Sequence, residues 1–402
     1  MSFASHQIET QERANFHHLW MESFWFGIAI VSTSQFLSVF AIRLGADAFA
    51  LGLLEAIPAV ILMISTWAAT WWRSRCENTV QAIMLPSFGR RFTFLLLVFT
   101  PFLPRVLQIP WLIFSVSLPA IPQSVAAVIN PVMWREAVGD RRLTDLLSRR
   151  HIAQHIGTAA SGLAVGFWLE QAAFPMNYQI MYAVAFIIVL VSLWHIRQVR
   201  VVNPINLETA QQAVATVSPW RSPGFRRVAV AAIITYVGYY CMRPIIPLRL
   251  VEELNAGESF MALYGLVRLA ASVGVAVIAA RVVRHLGNQT MLALALAAMA
   301  VEVFVLARSG DLYLALVSAA LGGASWTVVS ISLYGYLAEF TPPETRSSSA
   351  FNQVTYFGMI VGPMLGSALA GIDAGLVTVL LLGVVLRLAF ALVMQSMRPA
   401  SG

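Results

Sequence analysis

Residues 289–307 read QTMLALALAAMAVEVFVLA, an apolar run broken by one ionisable side chain, Glu302. A helix crossing the hydrocarbon core of a bilayer needs about 20 such residues, at a rise of about 1.5 Å each. One run of this kind fits inside a large soluble core, but here the pattern recurs along the whole chain. Comparable stretches cover 20–42, 48–71, 92–108, 111–133, 152–170, 177–196, 228–249, 259–281, 312–337, 350–371 and 375–394. Together they predict an all-α membrane protein with twelve transmembrane helices. The stretch 92–108 is the shortest and contains Pro101 and Pro104.

Composition points the same way. Hydrophobic residues make up 58% of the 402, charged residues 11%, and mean hydropathy is +0.74. A soluble domain keeps roughly a quarter of its residues charged, so the surplus apolar surface must face lipid. The net charge of +7 comes entirely from arginine, because the sequence contains no lysine. That excludes Schiff-base chemistry and a Walker lysine, and with the latter ATP hydrolysis of the P-loop kind. No nucleophile–base or metal motif suggests an enzyme, and no cofactor is expected. Two cysteines, Cys76 in a basic loop and Cys241 in an apolar stretch, give no basis for a structural disulfide. The polar start from Ser2 to His18 and the lack of a small-residue cleavage site predict no cleavable signal peptide.

Cytoplasmic loops carry an arginine excess. With the N-terminus inside, Arg73, Arg75, Arg90, Arg91, Arg135, Arg141, Arg142, Arg149, Arg150, Arg197, Arg200, Arg221, Arg226, Arg227, Arg281, Arg284, Arg346 and Arg398 all fall on the cytoplasmic side. The outside keeps Arg43, Arg105, Arg249 and Arg308. The expected placement is therefore multi-pass in a cell (inner) membrane, bacterial in type, with both termini cytoplasmic. These loop arginines set topology, so no nucleic-acid partner is expected. The longest polar stretch, 198–222, contains Pro204 and Pro219. It divides an N-terminal six-helix bundle (1–197) from a C-terminal one (226–402), with 198–225 as a cytoplasmic linker. In transporters built from such repeats the substrate site lies at the repeat interface near the midplane.

Pro342-Pro343-Glu344-Thr345-Arg346, followed by Gly358, Gly362-Pro363 and Gly366, resembles the Pro-x-x-x-Arg loop and small-residue eleventh helix of the major facilitator superfamily. Glycines at spacing four flatten one helix face, so a neighbour can approach and slide. Asp140-Arg141-Arg142 with Gly157, Gly162 and Gly166 is a looser copy in the first half. The resemblance spans essentially the whole chain and implies two pseudo-symmetric six-helix bundles. In the loop between helices two and three, Gly89-Arg90-Arg91 matches the end of the family's motif, without the acid that precedes it. The loop after helix eight keeps Arg281, Arg284 and Gly287 but has Ala280 where the family pattern has aspartate. The arginine that the family's drug/proton antiporters carry within helix four is absent from Leu118-Pro119-Ala120-Ile121-Pro122-Gln123. Their fifth-helix Gly-Pro-x-x-Gly-Gly signature is absent too.

Ionisable groups held in lipid are costly and commonly face a cavity or a partner. Glu55, Arg243 and Arg268 fall at similar depth. The resemblance places helices one, two, seven and eight at the outer gate, so Glu55 is expected to pair across the halves with Arg243 or Arg268. The spare arginine would favour an anionic substrate. A static pair, or arginines reaching the outer headgroups, explains the same residues without a gate. Glu302 and Arg387 read as a structural pair. His151 and His155, one turn apart, suit a shared metal or a proton relay, but no third ligand is spaced to join them, and interfacial histidines are the simpler reading. Glu22, one turn after His18, reads as a cytoplasmic boundary residue that could receive a proton. By the resemblance, helices one, four, seven and ten line the cavity, which nominates Ser34, Gln35, Gln123, Tyr236, Tyr239, Tyr240, Trp326 and Ser330. Interhelical hydrogen bonding accounts for such residues equally well. Pro119, Pro122 and Pro131 would bend or kink helix four.

The expectation is secondary active transport of a small organic solute by alternating access, driven by a proton, ion or solute gradient. The aromatic lining gives a narrow preference for export of an amphiphilic compound or metabolite. Uptake of an organic anion is the rival, and a non-transporting sensor or assembly scaffold is the alternative of another class. A monomer in the bilayer is expected.

Overall fold

A computed structural model describes residues 3–65, 68–203, 218–341, 348–371 and 375–397, and among them it contains helices and no strand. In chain order these are α1 (Phe3–Ser34), α2 (Leu37–Arg43), α3 (Ala48–Ser65), α4 (Ala68–Arg73), α5 (Thr79–Val98), α6 (Arg105–Ser117), α7 (Ala120–Gln171) and α8 (Met176–Gln198). There follow α9 (Pro223–Tyr240), α10 (Ile245–Leu248), α11 (Glu258–Leu286), α12 (Asn288–Arg308), α13 (Leu312–Phe340), α14 (Ser348–Ala370) and α15 (Leu376–Ser396). Several starts are capped by a short polar side chain. Asn78 accepts from the Gln81 amide at 2.8 Å, and Asp311 accepts from Leu314 at 2.8 Å.

Ten of the described helical stretches are long and apolar enough to cross a membrane. Two features reconcile that number with twelve crossings. First, α7 runs for 52 residues, about 78 Å at 1.5 Å each, more than twice the ~30 Å hydrocarbon core. Helical geometry is interrupted at Gly139 (φ 68°, ψ 166°), a backbone conformation that glycine adopts without steric penalty. α6 with the first part of α7 makes one crossing, and the rest of α7 makes the next. Second, α5 falls below the hydropathy of a typical span because Arg90 and Arg91 lie within it.

The stretch 92–108 is not one helix: α5 ends at Val98, a single 3-10 turn covers Thr100–Phe102, and α6 starts at Arg105. Pro101 opens the 3-10 turn and Pro104 caps α6, positions where a missing N–H costs nothing. Arg90 and Arg91, expected in a cytoplasmic loop, lie instead inside helix α5, Arg91 among its buried residues. Likewise Pro119 stands at the break between α6 and α7, while Pro122 and Pro131 lie inside α7.

The chain forms two compact units, Met1–Phe40 with Ile61–Ala210, and Ala41–Val60 with Gln211–Gly402. In the first, Leu19, Ile83, Val125, Ile129, Met133 and Ile196 form a buried core. Here α7 packs against α1 through glycines. A Cβ on Gly157 would lie 2.6 Å from the Phe24 carbonyl oxygen, and one on Gly27 would strike the Gln154 carbonyl. In the second unit, Phe225, Val228 and Ala232 of α9 pack with Leu292, Leu296 and Met299 of α12 and Val329 and Leu333 of α13. The glycine device recurs: Gly358, Gly362 and Gly366 of α14 face α9. A Cβ on Gly362 would lie 2.6 Å from that of Tyr240, and one on Gly366 would strike the Cys241 carbonyl. Large apolar side chains such as Ile187, Val277, Val385 and Leu392 are left exposed, Val277 by 79%. Exposed apolar area on this scale is what a lipid-facing surface requires.

Candidate functional site

In the second unit, α9 sets Tyr236, Tyr239 and Tyr240 at helical i, i+3 and i+4 spacing, which puts them on one face. Trp326 of α13 stacks on Tyr239 with ring centroids 4.1 Å apart and planes at 26°. The Tyr236 and Tyr240 rings lie 6.2 and 6.3 Å from Trp326. The four rings form one cluster, and guanidinium groups border it. Arg243 is placed one turn beyond Tyr240, with its charge 6.0 Å from that ring. Its Nε donates to Glu55 Oε1 of α3 at 2.9 Å. Arg268 of α11 donates to the Tyr239 hydroxyl at 3.1 Å and to Glu302 Oε1 of α12 at 3.3 Å.

Glu302 has a second partner. Arg387 of α15 donates to Glu302 Oε2 at 3.2 Å, and also to the carbonyls of Gly238 (2.8 Å), Met299 (2.5 Å) and Tyr239 (3.3 Å). Both Arg387 and Glu302 are buried, and a buried charge is tolerated when paired and fully hydrogen-bonded. Two glycines of α13 make room for the ion pair. A Cβ on Gly322 would lie 2.7 Å from Glu302 Cδ and 2.9 Å from Arg268 Nη1, and one on Gly323 would lie 3.1 Å from the Arg268 Cα. Beyond them, Ser272 and Thr327 hydroxyls meet at 2.5 Å between α11 and α13.

The first unit holds a separate charge cluster. Glu22 of α1 is buried and meets three arginines: Arg91 at 3.1 Å, Arg90 at 3.5 Å and Arg150 at 2.9 Å. Ser192 donates to Glu22 at 3.3 Å and accepts from Arg91 at 2.6 Å. Arg91 is fully buried and also bonds the carbonyls of Val189 and Ser87. Arg90 sits over the Phe26 ring at 4.5 Å. Three guanidinium groups share one carboxylate, so the cluster retains two positive charges. Next to it, the Nδ1 atoms of His18 and His195 are 3.0 Å apart, so one ring donates and the other accepts.

The family model for the Major Facilitator Superfamily matches residues 24–363. The chain belongs to that superfamily. Its members are membrane carriers and not enzymes, which makes this a multi-pass membrane protein of the secondary-transporter class. Solved structures share the fold at low identity. A mutant of the nucleoside transporter NupG superposes with a TM-score of 0.79 at 11% identity, covering 96% of this chain and all (100%) of its own. A D-xylose–proton symporter gives 0.72 at 13%, covering 97% and 98%. A mutant of the peptide transporter POT with alafosfalin gives 0.72 at 13%, covering 95% and 93%. No curated protein matches the sequence.

Against this superfamily frame, the nominated residues separate into groups. Glu55, Arg243, Arg268, Tyr236, Tyr239, Tyr240 and Trp326 fall in one region of the second unit. Gln35 lies at the break after α1, with its Oε1 buried and 3.2 Å from the position of a Cβ on Gly162. Gln123 is exposed on α7, outside the charge cluster. Gly358, Gly362, Pro363 and Gly366 lie in α14, the glycines against α9, whereas Arg346 and the rest of 342–347 fall outside the described residues. His151 and His155 stack at 6.4 Å and are exposed.

The residues that sequence reading missed are those around Glu22. Polarity along the chain places Arg150 in one loop and Arg90 and Arg91 in another, which leaves Glu22 with no visible partner. A helical signal was available: Phe88, Phe92 and the apolar run 94–98 flank the two arginines. A single acid in an apolar first span also calls for a buried partner.

Proposed function

We propose that this carrier moves a small amphiphilic organic compound by alternating access, at the expense of a proton or other gradient, and that export is its direction. The ring cluster of Tyr236, Tyr239, Tyr240 and Trp326, bordered by Arg243 and Arg268, carries the substrate class. Pockets for organic ligands are mainly apolar and aromatic with a few orienting polar groups, and this cluster has that composition. The absence of lysine supports gradient coupling over nucleotide hydrolysis. A proton is the coupling ion we favour, because one of the fold neighbours is described as a proton symporter. Export rests on the aromatic cluster alone. In this reading Glu55 and Arg243 form a gate pair, and the glycine face of α14 with Arg346 belongs to the moving parts.

A second reading, uptake of an organic anion, has its own support. The two intramembrane clusters contain six arginines against three glutamates. We further propose halves at 1–197 and 226–402 joined by 198–225, a monomer, and cytoplasmic termini in a bacterial inner membrane. With Arg90 and Arg91 moved into α5, the remaining loop arginines still favour the cytoplasmic side.

Counterflow in proteoliposomes tests transport and substrate class together. Vesicles preloaded with amphiphilic aromatic amines, acids or neutral compounds should accelerate entry of the labelled counterpart. Exchange confined to sugars or nucleosides would overturn the amphiphile reading. Gradient-driven uptake into inside-out vesicles, absent from right-side-out ones, is the result expected for export, and the reverse orientation would support uptake.

A further inference from the structure

The three arginines of the second unit are not equivalent, and charge stoichiometry separates them. Arg243 and Glu55 are bound one to one, at 2.9 Å. If Arg243 left for a ligand, Glu55 would lose its counter-ion. Arg387 is 1% exposed, and four of its five N–H donors go to Glu302 and three carbonyls. It is a fixed part of the core. Arg268 differs from both. It is 25% exposed, makes two side-chain bonds and shares Glu302 with Arg387. When Arg268 turns away, Glu302 keeps Arg387 at 3.2 Å and remains neutralised.

The usual penalty for opening a buried ion pair is the lone charge left behind. Here that penalty is removed by the third member. Arg268 also lies against the rings: its charge is 5.8 Å from the Tyr239 centroid, and Tyr239 stacks on Trp326. The Tyr239 hydroxyl, which accepts from Arg268, has its own proton to donate. Gly322 completes the arrangement, because any side chain there would meet both Glu302 and Arg268.

We propose that Arg268 is the residue that binds the carboxylate of an aromatic acid, exchanging Glu302 for the substrate while Arg387 holds Glu302 in place. The inference rests on the amphiphile reading above and narrows it to aromatic monocarboxylates. The guanidinium offers a two-pronged fit to a carboxylate, Tyr239 adds a hydrogen bond, and the partly buried Trp326, backed by Tyr239, supplies a surface for the aromatic body. No proton or covalent step is required for the exchange.

The test uses matched ligands, indole-3-acetic acid with indole-3-acetamide and 4-phenylbutyric acid with 4-phenylbutyramide. Their binding to the detergent-purified full chain is read by thermal shift and by equilibrium binding. Wild type should bind each acid at least about tenfold more tightly than its amide, the margin of one good charge-assisted contact. Arg268→Gln should weaken the acids about tenfold more than the amides, and Arg268→Lys should recover part of the loss. Glu302→Gln frees Arg268 and should tighten acid binding several-fold, a gain that a merely structural residue would not give. If Glu302→Gln does not fold, the acid-to-amide ratios of the two Arg268 variants decide. Equal binding of acid and amide by wild type overturns this inference and leaves the amphiphile reading standing. An acid preference that survives Arg268→Gln overturns it as well. Failure of both acids and both amides to bind overturns this inference, and counterflow with the amines and other neutral compounds then decides the amphiphile reading.

Discussion

Replacing Glu22 by glutamine removes the carboxylate shared by Arg90, Arg91 and Arg150 and leaves three guanidinium groups facing one another inside the first unit. The glutamine oxygen can still accept from one donor, and Ser192 still satisfies part of Arg91. The charge itself is not replaced. Breaking a buried ion pair by removing one partner costs about 3–5 kcal/mol, and Glu22 is 2% exposed, so solvent does little to screen the loss. For a unit of about this size, each kcal/mol lowers the melting temperature by about 2–4 °C. The expected fall is therefore about 6–20 °C, followed by tryptophan fluorescence of the purified protein during heating. Glu9→Gln is the control, since the Glu9 side chain is 47% exposed and its partners Arg13 and Arg142 are 71% and 32% exposed; its melting point should stay near wild type. A Glu22→Gln protein that melts within about 2 °C of wild type would refute the idea that this carboxylate holds α1, α5, α7 and α8 together.

Gly366→Ala should destabilise the protein by several degrees, because its Cβ meets the Cys241 backbone, whereas Gly371→Ala meets nothing closer than 3.5 Å and should be nearly neutral; parallel melting curves compare them. Glu55→Gln should change stability by less than about 1 kcal/mol, since Arg243 is 41% exposed and Glu55 20%. If Glu55 and Arg243 form a gate, the same variant should alter turnover in counterflow by several-fold, and unchanged turnover and affinity would remove Glu55 from the mechanism. Trp326→Ala takes away one face of the ring stack and should weaken binding of aromatic ligands by roughly 2- to 12-fold, from the ~0.5–1.5 kcal/mol of an aromatic pair, measured by equilibrium binding.

How much was legible in the sequence follows from which signals are local. Runs such as 289–307 need no partner to be recognised, because the bilayer core judges each helix by its own length and polarity. The glycine series at 358, 362 and 366 was likewise visible, since its spacing matches one helix face. The position of the third helix is hidden for a local reason as well. Arg90 and Arg91 lower the hydropathy of α5, and a reading by polarity sends them to a loop. Their compensation comes from Glu22, 69 positions away along the chain for Arg91, and from Ser192 beyond that. No window along the sequence contains both.

The same logic divides the charge pairs of the second unit. That Glu302 and Arg387 needed a partner could be read from their setting in lipid. That Glu302 would hold two arginines, Arg387 spent on carbonyls and Arg268 half free beside Tyr239, depends on where α9, α11, α12, α13 and α15 meet. By itself the sequence determined the helical membrane architecture, the count of crossings and the superfamily, because these follow from hydropathy, length and short motifs. Only the tertiary structure decided which charges neutralise which, because a side-chain partner in a bundle is chosen by interhelical packing and not by distance along the chain.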